Sequence, residues 1–167
     1  MVNEPTTNRI EYEPIGVIHT PYDSLEGMPI QPTGARGTRG SVVLEEEYAE
    51  ALADLEGFSH CYLLYHFHGS DGDARTTVEP FLDASERGLF STRAPRRPNA
   101  IGLSVVQIEN IDGATMKVQD VDILDGTPLL DVKPFVHAFD VPAETEGGWI
   151  DEAEEDPERR RADDRFL

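Results

Sequence analysis

Residues 103–121 read LSVVQIENIDGATMKVQDV. Leu103–Ile108 and Met116–Val121 are rich in β-branched residues, and Asn110-Ile111-Asp112-Gly113 between them is turn chemistry. The spacing predicts a β-hairpin with a loop of about four or five residues. Upstream, Phe58–His68 contains the apolar run CYLLYHF and reads as a buried strand. Ser41–Leu44 and Ile10–Ile18 read as further strands, the latter ending at the turn Pro21-Tyr22-Asp23. Downstream, residues 125–135, DGTPLLDVKPF, give a turn, a short strand and a proline stop. One helix is expected over Glu45–Glu56, where Tyr48, Ala49, Leu52 and Leu55 share a face and Gly57 ends the run. The fold class is therefore mainly β, a barrel or sandwich closed by loops.

The remaining segments bound the domain. Residues 1–9 read as a disordered start, 10–145 as the domain and 146–167 as an acidic C-terminal tail. The last 17 residues hold eight acidic residues and four arginines, with little to bury. A solvated tail or frayed helix is expected there, dispensable for activity. Residues 23–40 form a long Gly-, Pro- and Thr-rich loop, which in a compact domain points to function.

The chain has 167 residues and a formal net charge of −19, with 33 acidic residues and only two lysines, Lys117 and Lys133, among its 14 basic ones. Carboxylates spread along a chain nearly free of lysine suit very high salt, so the composition reads as a halophile's. Net charge then says little about partners, and local arginine clusters say more. Cys61 is the only cysteine, which excludes an internal disulfide and a cysteine-based zinc site. No apolar run approaches a membrane span, and the N-terminus lacks a signal-peptide pattern, so a cytoplasmic protein without membrane contact is expected. Dinucleotide-binding, P-loop and nucleophile-elbow motifs are absent. His66 and His68 alternate on one strand face with His60 on the same parity, which permits a three-histidine site. Packing or a place at a pocket rim is the ordinary role of such residues, and no metal is expected.

Two blocks carry chemistry. Residues 88–104, GLFSTRAPRRPNAIGLS, set Arg93, Arg96 and Arg97 among Pro95, Pro98 and Gly102. Prolines stiffen this loop, and a rigid loop of guanidinium forks suits a carboxylate or phosphate. Asn99 adds an amide that both donates and accepts. Residues 120–134, DVDILDGTPLLDVKP, gather Asp122, Asp125 and Asp131 near Lys133. A carboxylate beside a strand end is placed to take a ribose diol. Either block alone also fits an exposed surface loop.

Together they resemble a known family. Pro14-Ile15-Gly16-Val17-Ile18, Pro29-Ile30-Gln31-Pro32, Leu55-Glu56-Gly57-Phe58-Ser59-His60 and Phe67-His68 precede Gly88-Leu89-Phe90-Ser91-Thr92-Arg93. Arg97-Pro98-Asn99-Ala100-Ile101-Gly102-Leu103-Ser104 and Asp122-Ile123-Leu124-Asp125-Gly126-Thr127-Pro128 follow. With Asp131-Val132-Lys133-Pro134 they cover residues 14–135 almost continuously and in the order of the TsaA-like family, often called TrmO. Its characterised members are S-adenosylmethionine-dependent tRNA (adenine-N6)-methyltransferases. The resemblance implies a small β-barrel-like domain with one or two short helices, no Rossmann sheet, and a homodimer. It implies methylation of N6 of threonylcarbamoyladenosine beside the tRNA anticodon.

For S-adenosylmethionine it implies Arg93 at the carboxylate and Asp122 or Asp125 at the ribose or ammonium. Backbone near Leu103 and Ile123-Leu124 would read the adenine edge, and Pro29, Ile30, Gln31, Phe67 and His68 would form the walls. Asn99 is a candidate oxygen acceptor near the reacting amine, and Arg96 and Arg97 are candidates for RNA phosphates. Two departures stand out: Ile30 replaces a basic residue common before the glutamine, and a short acidic tail stands where bacterial members carry a further domain. A small-molecule methyltransferase and a non-catalytic S-adenosylmethionine sensor are the alternative readings.

Overall fold

The computed structural model describes residues 9–70, 72–153 and 156–164. Six antiparallel strands close a barrel: β1 (Gly16–His19), β2 (Arg39–Leu44), β3 (His60–His66), β6 (Ile101–Asp112), β7 (Thr115–Gln119) and β8 (Thr127–Pro134). Around the barrel the order is β1-β2-β7-β6-β3-β8, and β8 pairs back onto β1. The short strands β4 (Thr77–Val78) and β5 (Arg87–Gly88) pair separately. Closure removes sheet edges, which lets so acidic a chain carry a sheet without an open edge to aggregate.

Alternation along each strand fills the interior. Cys61, Leu63 and Tyr65 of β3 face Ser104 and Val106 of β6, with Ile18, Val42, Met116, Val118 and Leu129 completing the core. Each fully buried aliphatic contributes about 1.5–3 kcal/mol by leaving water. Burial also pushes the Cys61 thiol up to about 12, so it is an inert core group. Gly102 is fixed by packing: a Cβ there would lie 2.1 Å from the Tyr65 ring. Only glycine lets that ring cross the strand and donate from its hydroxyl to Ser104 Oγ at 3.0 Å.

Several expected elements differ in extent. The hairpin is tighter: β6 runs on to Asp112 through a bulge between Ile108 and Asn110, and Gly113, at φ 57°, makes the turn with Ala114. The first strand pairs only over Gly16–His19, and residues 10–15 precede it without strand structure. The expected helix over Glu45–Glu56 is two 3-10 segments, Glu46–Leu52 and Leu55–Gly57. Ala49, Leu52 and Leu55 recur every three residues, which suits three residues per turn, and left-handed Asp54 (φ 66°) parts the segments.

The largest difference lies at the C-terminus. The segment expected to be solvated is docked: Ala162 donates to Met28 O and accepts from Gly27 N, both at 2.8 Å, flanking a β-bridge between Pro29 and Arg161. Arg161 reaches Gly34 O, and Arg36 pairs with Glu158. Backbone pairing with Gly27 and Met28 of the early loop holds this segment, and it needs little apolar area. The expected disorder of residues 1–8 lies outside the described residues.

Candidate functional site

Antiparallel pairing brings the end of β3 beside the start of β6, with His66 opposite Ile101. β8 begins at the same end of the barrel, and the link from β7 crosses there. A cavity of about 720 Å³ opens at this end. Its floor is Tyr65, Gly102 and Thr127; Ile123 and Leu124 form one wall and Phe67 and His68 another. Met28, Pro29, Ile30 and Gln31 of the early loop face Ser91–Pro95 of the arginine segment across it. Trp149, Ile150, Pro157, Ala162 and Asp163 of the docked segment close the outer side.

The arginine segment is rigid for visible reasons. Val78, Leu89 and Ala94 form a small core of their own with Phe81 against it. Thr92 Oγ1 donates to Leu89 O at 2.8 Å, and Arg97 Nη1 donates to Thr92 O at 2.9 Å and Ala94 O at 3.2 Å. Arg97 thus braces the loop from within. Arg93 is exposed and donates to Gln31 Oε1 at 3.0 Å, tying the arginine segment to the early loop. The rest of its fork is available to an anion in the cavity.

Asp122 is the acidic group at the barrel end of the cavity, and Asp163 lies on its outer side. Its Oδ1 accepts from Ser104 Oγ at 2.6 Å, and Ser104 accepts in turn from Tyr65. Burial pushes its carboxyl up to about 6, while the Ser104 hydrogen bond and the Arg93 charge pull the other way. Burial likewise raises the Tyr65 phenol. A half-buried carboxylate in an apolar cavity attracts a cation or a pair of hydroxyls. Thr127 Oγ1 donates to Leu124 O at 2.6 Å and lies 3.3 Å from His68 Nδ1, which ties the His68 ring to the start of β8.

Of the residues singled out from the sequence, Pro29, Ile30, Gln31, Phe67, His68, Arg93, Leu103, Asp122, Ile123 and Leu124 all line the cavity. Asp125 does not. It is exposed, and its carboxylate accepts from Thr20 N at 3.0 Å and His19 Nδ1 at 3.3 Å, bonds that hold its pKa low. Its role is to pin the end of β1. Asn99 is exposed in the turn before β6 and stands outside the lining. Arg97 lines the cavity, whereas Arg96 lies against Gly72. The three histidines do not converge: β3 ends at His66, so His68 turns into the cavity, and His60 packs edge-on against Phe135. Among the described residues no group of three or more His, Cys, Asp or Glu is arranged to hold a metal. No described helix is long and apolar enough to cross a membrane.

Sequence reasoning missed Tyr65, Ser104 and Thr127, which read as plain strand residues, and the whole C-terminal wall. One signal was present. Trp149-Ile150 is an apolar pair in an otherwise acidic stretch.

Comparison with known proteins places the cavity in context. A family described as "tRNA-methyltransferase O N-terminal domain" matches residues 17–141. A "Probable S-adenosyl-L-methionine-binding protein" of Pyrococcus abyssi is 44% identical over 93% of this chain and 84% of its own length. The tRNA (adenine(37)-N6)-methyltransferase of Escherichia coli is 38% identical over 75% of this chain and 57% of its own length. The crystal structure of TrmO from Pseudomonas aeruginosa superposes with a TM-score of 0.71 at 35% identity, covering 84% of this chain and 62% of that one. The chain thus spans most of the Pyrococcus protein but less than two thirds of the two bacterial ones.

Proposed function

The chain belongs to the tRNA-methyltransferase O N-terminal domain family, and from that membership we propose that its cavity binds S-adenosylmethionine and directs methyl transfer to N6 of an adenosine in tRNA. The observation that carries this is the pairing, in one cavity, of a guanidinium at Arg93 with a half-buried carboxylate at Asp122. The two charges suit a zwitterionic ligand that also presents a ribose. A volume of about 720 Å³ with apolar walls fits a nucleoside-bearing cofactor. When bound, the cofactor supplies an electrophilic methyl group on a sulfonium.

Arg93, held by Gln31, takes the carboxylate, and Asp122, held by Ser104, takes the ammonium or the ribose hydroxyls. Backbone groups near Leu103 and Ile123-Leu124 read the adenine edge. In-line displacement needs little acid–base help, so positioning supplies most of the rate. The amine loses a proton as its new bond forms. Asn99 lies outside the cavity lining, so that proton passes to solvent or to a lining group such as His68.

The substrate we infer is threonylcarbamoyladenosine beside the anticodon, and the working form is a homodimer. Support for pairing comes from the outer face of β6. Ile101 and Leu103 are 43% and 49% exposed beside the cavity rim. A second copy covering them would narrow the cavity mouth.

The test is transfer to tRNA from a strain lacking this methyl group, followed by mass spectrometry of its nucleosides. A mass gain of one methyl on threonylcarbamoyladenosine is expected. Arg93→Ala should weaken S-adenosylhomocysteine binding by about 1.5–3 kcal/mol in calorimetry, as for a charge-assisted hydrogen bond. Tight cofactor binding with no methylated nucleoside would leave a binding protein rather than an enzyme.

A further inference from the structure

Trp149 is the chain's only tryptophan, and it stands beyond the residues matched by the family. Its Nε1–H donates to Ser91 O at 2.9 Å, and the Arg87 guanidinium lies over the indole, 5.4 Å from its centroid. Edge and one face of the ring are thereby fixed. The neighbour of Ser91, Phe90, is 81% exposed, with the Arg97 guanidinium 5.7 Å from its centroid. Both rings line the mouth of the cavity. A single exposed aromatic needs no explanation, but here two stand at one rim, each with a cation over one face.

The charge of the molecule sharpens the point. In the high salt that this composition suits, phosphate contacts are weak. Ring stacking needs no net charge, and every base has a face to stack. We propose that Phe90 and Trp149 form a stacking platform for a nucleobase splayed out of the RNA substrate. The proposal rests on reading the cavity as the methyl-transfer site. It assigns the base, rather than the backbone, as the main handle by which this acidic protein holds RNA.

Because Trp149 is unique, intrinsic fluorescence reports on it directly. The probe is an anticodon stem-loop RNA carrying N6-threonylcarbamoyladenosine, added to protein already saturated with S-adenosylhomocysteine. The expected result is quenching on adding RNA, with little change on adding S-adenosylhomocysteine alone. Phe90→Ala and Trp149→Ala should each raise the RNA Kd about tenfold, the size of one lost stack. Trp149→Phe, which keeps a ring, should retain most of the affinity. The slope of log Kd against log salt should stay unchanged in all three, since no phosphate contact is removed. RNA binding without quenching would overturn the platform. So would quenching by S-adenosylhomocysteine alone, which assigns the indole to the cofactor, or conversion of the variants to monomers, which assigns the rings to a protomer contact. Failure of S-adenosylhomocysteine to bind in calorimetry would remove the underlying reading, and is seen independently of the quench.

Discussion

Asp122 shows how one residue can serve a site against the interest of the fold. Its carboxyl, raised to about 6 by burial, titrates above the value near 3.9 of an unfolded chain. Between those values the folded state holds a proton that the unfolded state has lost. This contribution to stability is fully present below about pH 4 and is lost as pH rises through about 6. Asp122→Asn keeps an acceptor for Ser104 and removes the buried charge. It should therefore stabilise the protein at pH 7.5 by about 1–3 kcal/mol and flatten the melting temperature between pH 4 and 6.5. The same variant should bind S-adenosylhomocysteine more weakly at pH 7.5, and wild-type affinity should fall as pH drops through about 6. Thermal melts and calorimetry across pH check both; a variant less stable than wild type at pH 7.5 would show that the charge is compensated.

At the scale of elements, the C-terminal segment changes its standing most. Its described residues contribute no regular strand or long helix, yet backbone pairing at Gly27, Met28 and Ala162 and the Trp149 hydrogen bond make it a wall of the cavity. Deleting residues 156–167 should open that wall and free the early loop that carries Gln31, the partner of Arg93. The expected outcome is about tenfold weaker S-adenosylhomocysteine binding, the equivalent of roughly one lost hydrogen bond. The barrel, whose strands do not touch this segment in the pairing, should melt within a few degrees of the full chain. Calorimetry with a parallel thermal melt distinguishes a lost wall from a lost fold.

At the scale of the molecule, self-repulsion dominates. A net charge of −19 on an 18.5 kDa chain opposes compaction, and salt screens it over a Debye length of about 10 Å at 0.1 M and about 3 Å at 1 M. The melting temperature should rise steadily from low salt into the molar range. Flat behaviour over that range would mean that the carboxylates are spaced widely enough not to matter.

How much of this was legible in the sequence follows from the range of the forces involved. Strand periodicity and turn chemistry are local, so the hairpin, the buried β3 and the absence of a Rossmann sheet could be read from residues alone. The two blocks drew attention to Arg93 and Asp122 by composition, whereas the walls, from Pro29 to Leu124, were named only through the family resemblance. Tertiary structure alone decided the rest. Asp122 and Asp125 are three positions apart and chemically identical, but only burial separates them, and burial depends on which way the chain leaves β7. Arg93 and Arg97 share one loop and line one cavity, but only folding shows that Arg97 braces carbonyls of its own loop while Arg93 bonds across to Gln31. The acidic C-terminus read as solvated because its own residues bury little. Its place is set by the backbone groups of Gly27 and Met28, more than a hundred residues away, and backbone hydrogen bonding leaves almost no mark on side-chain pattern.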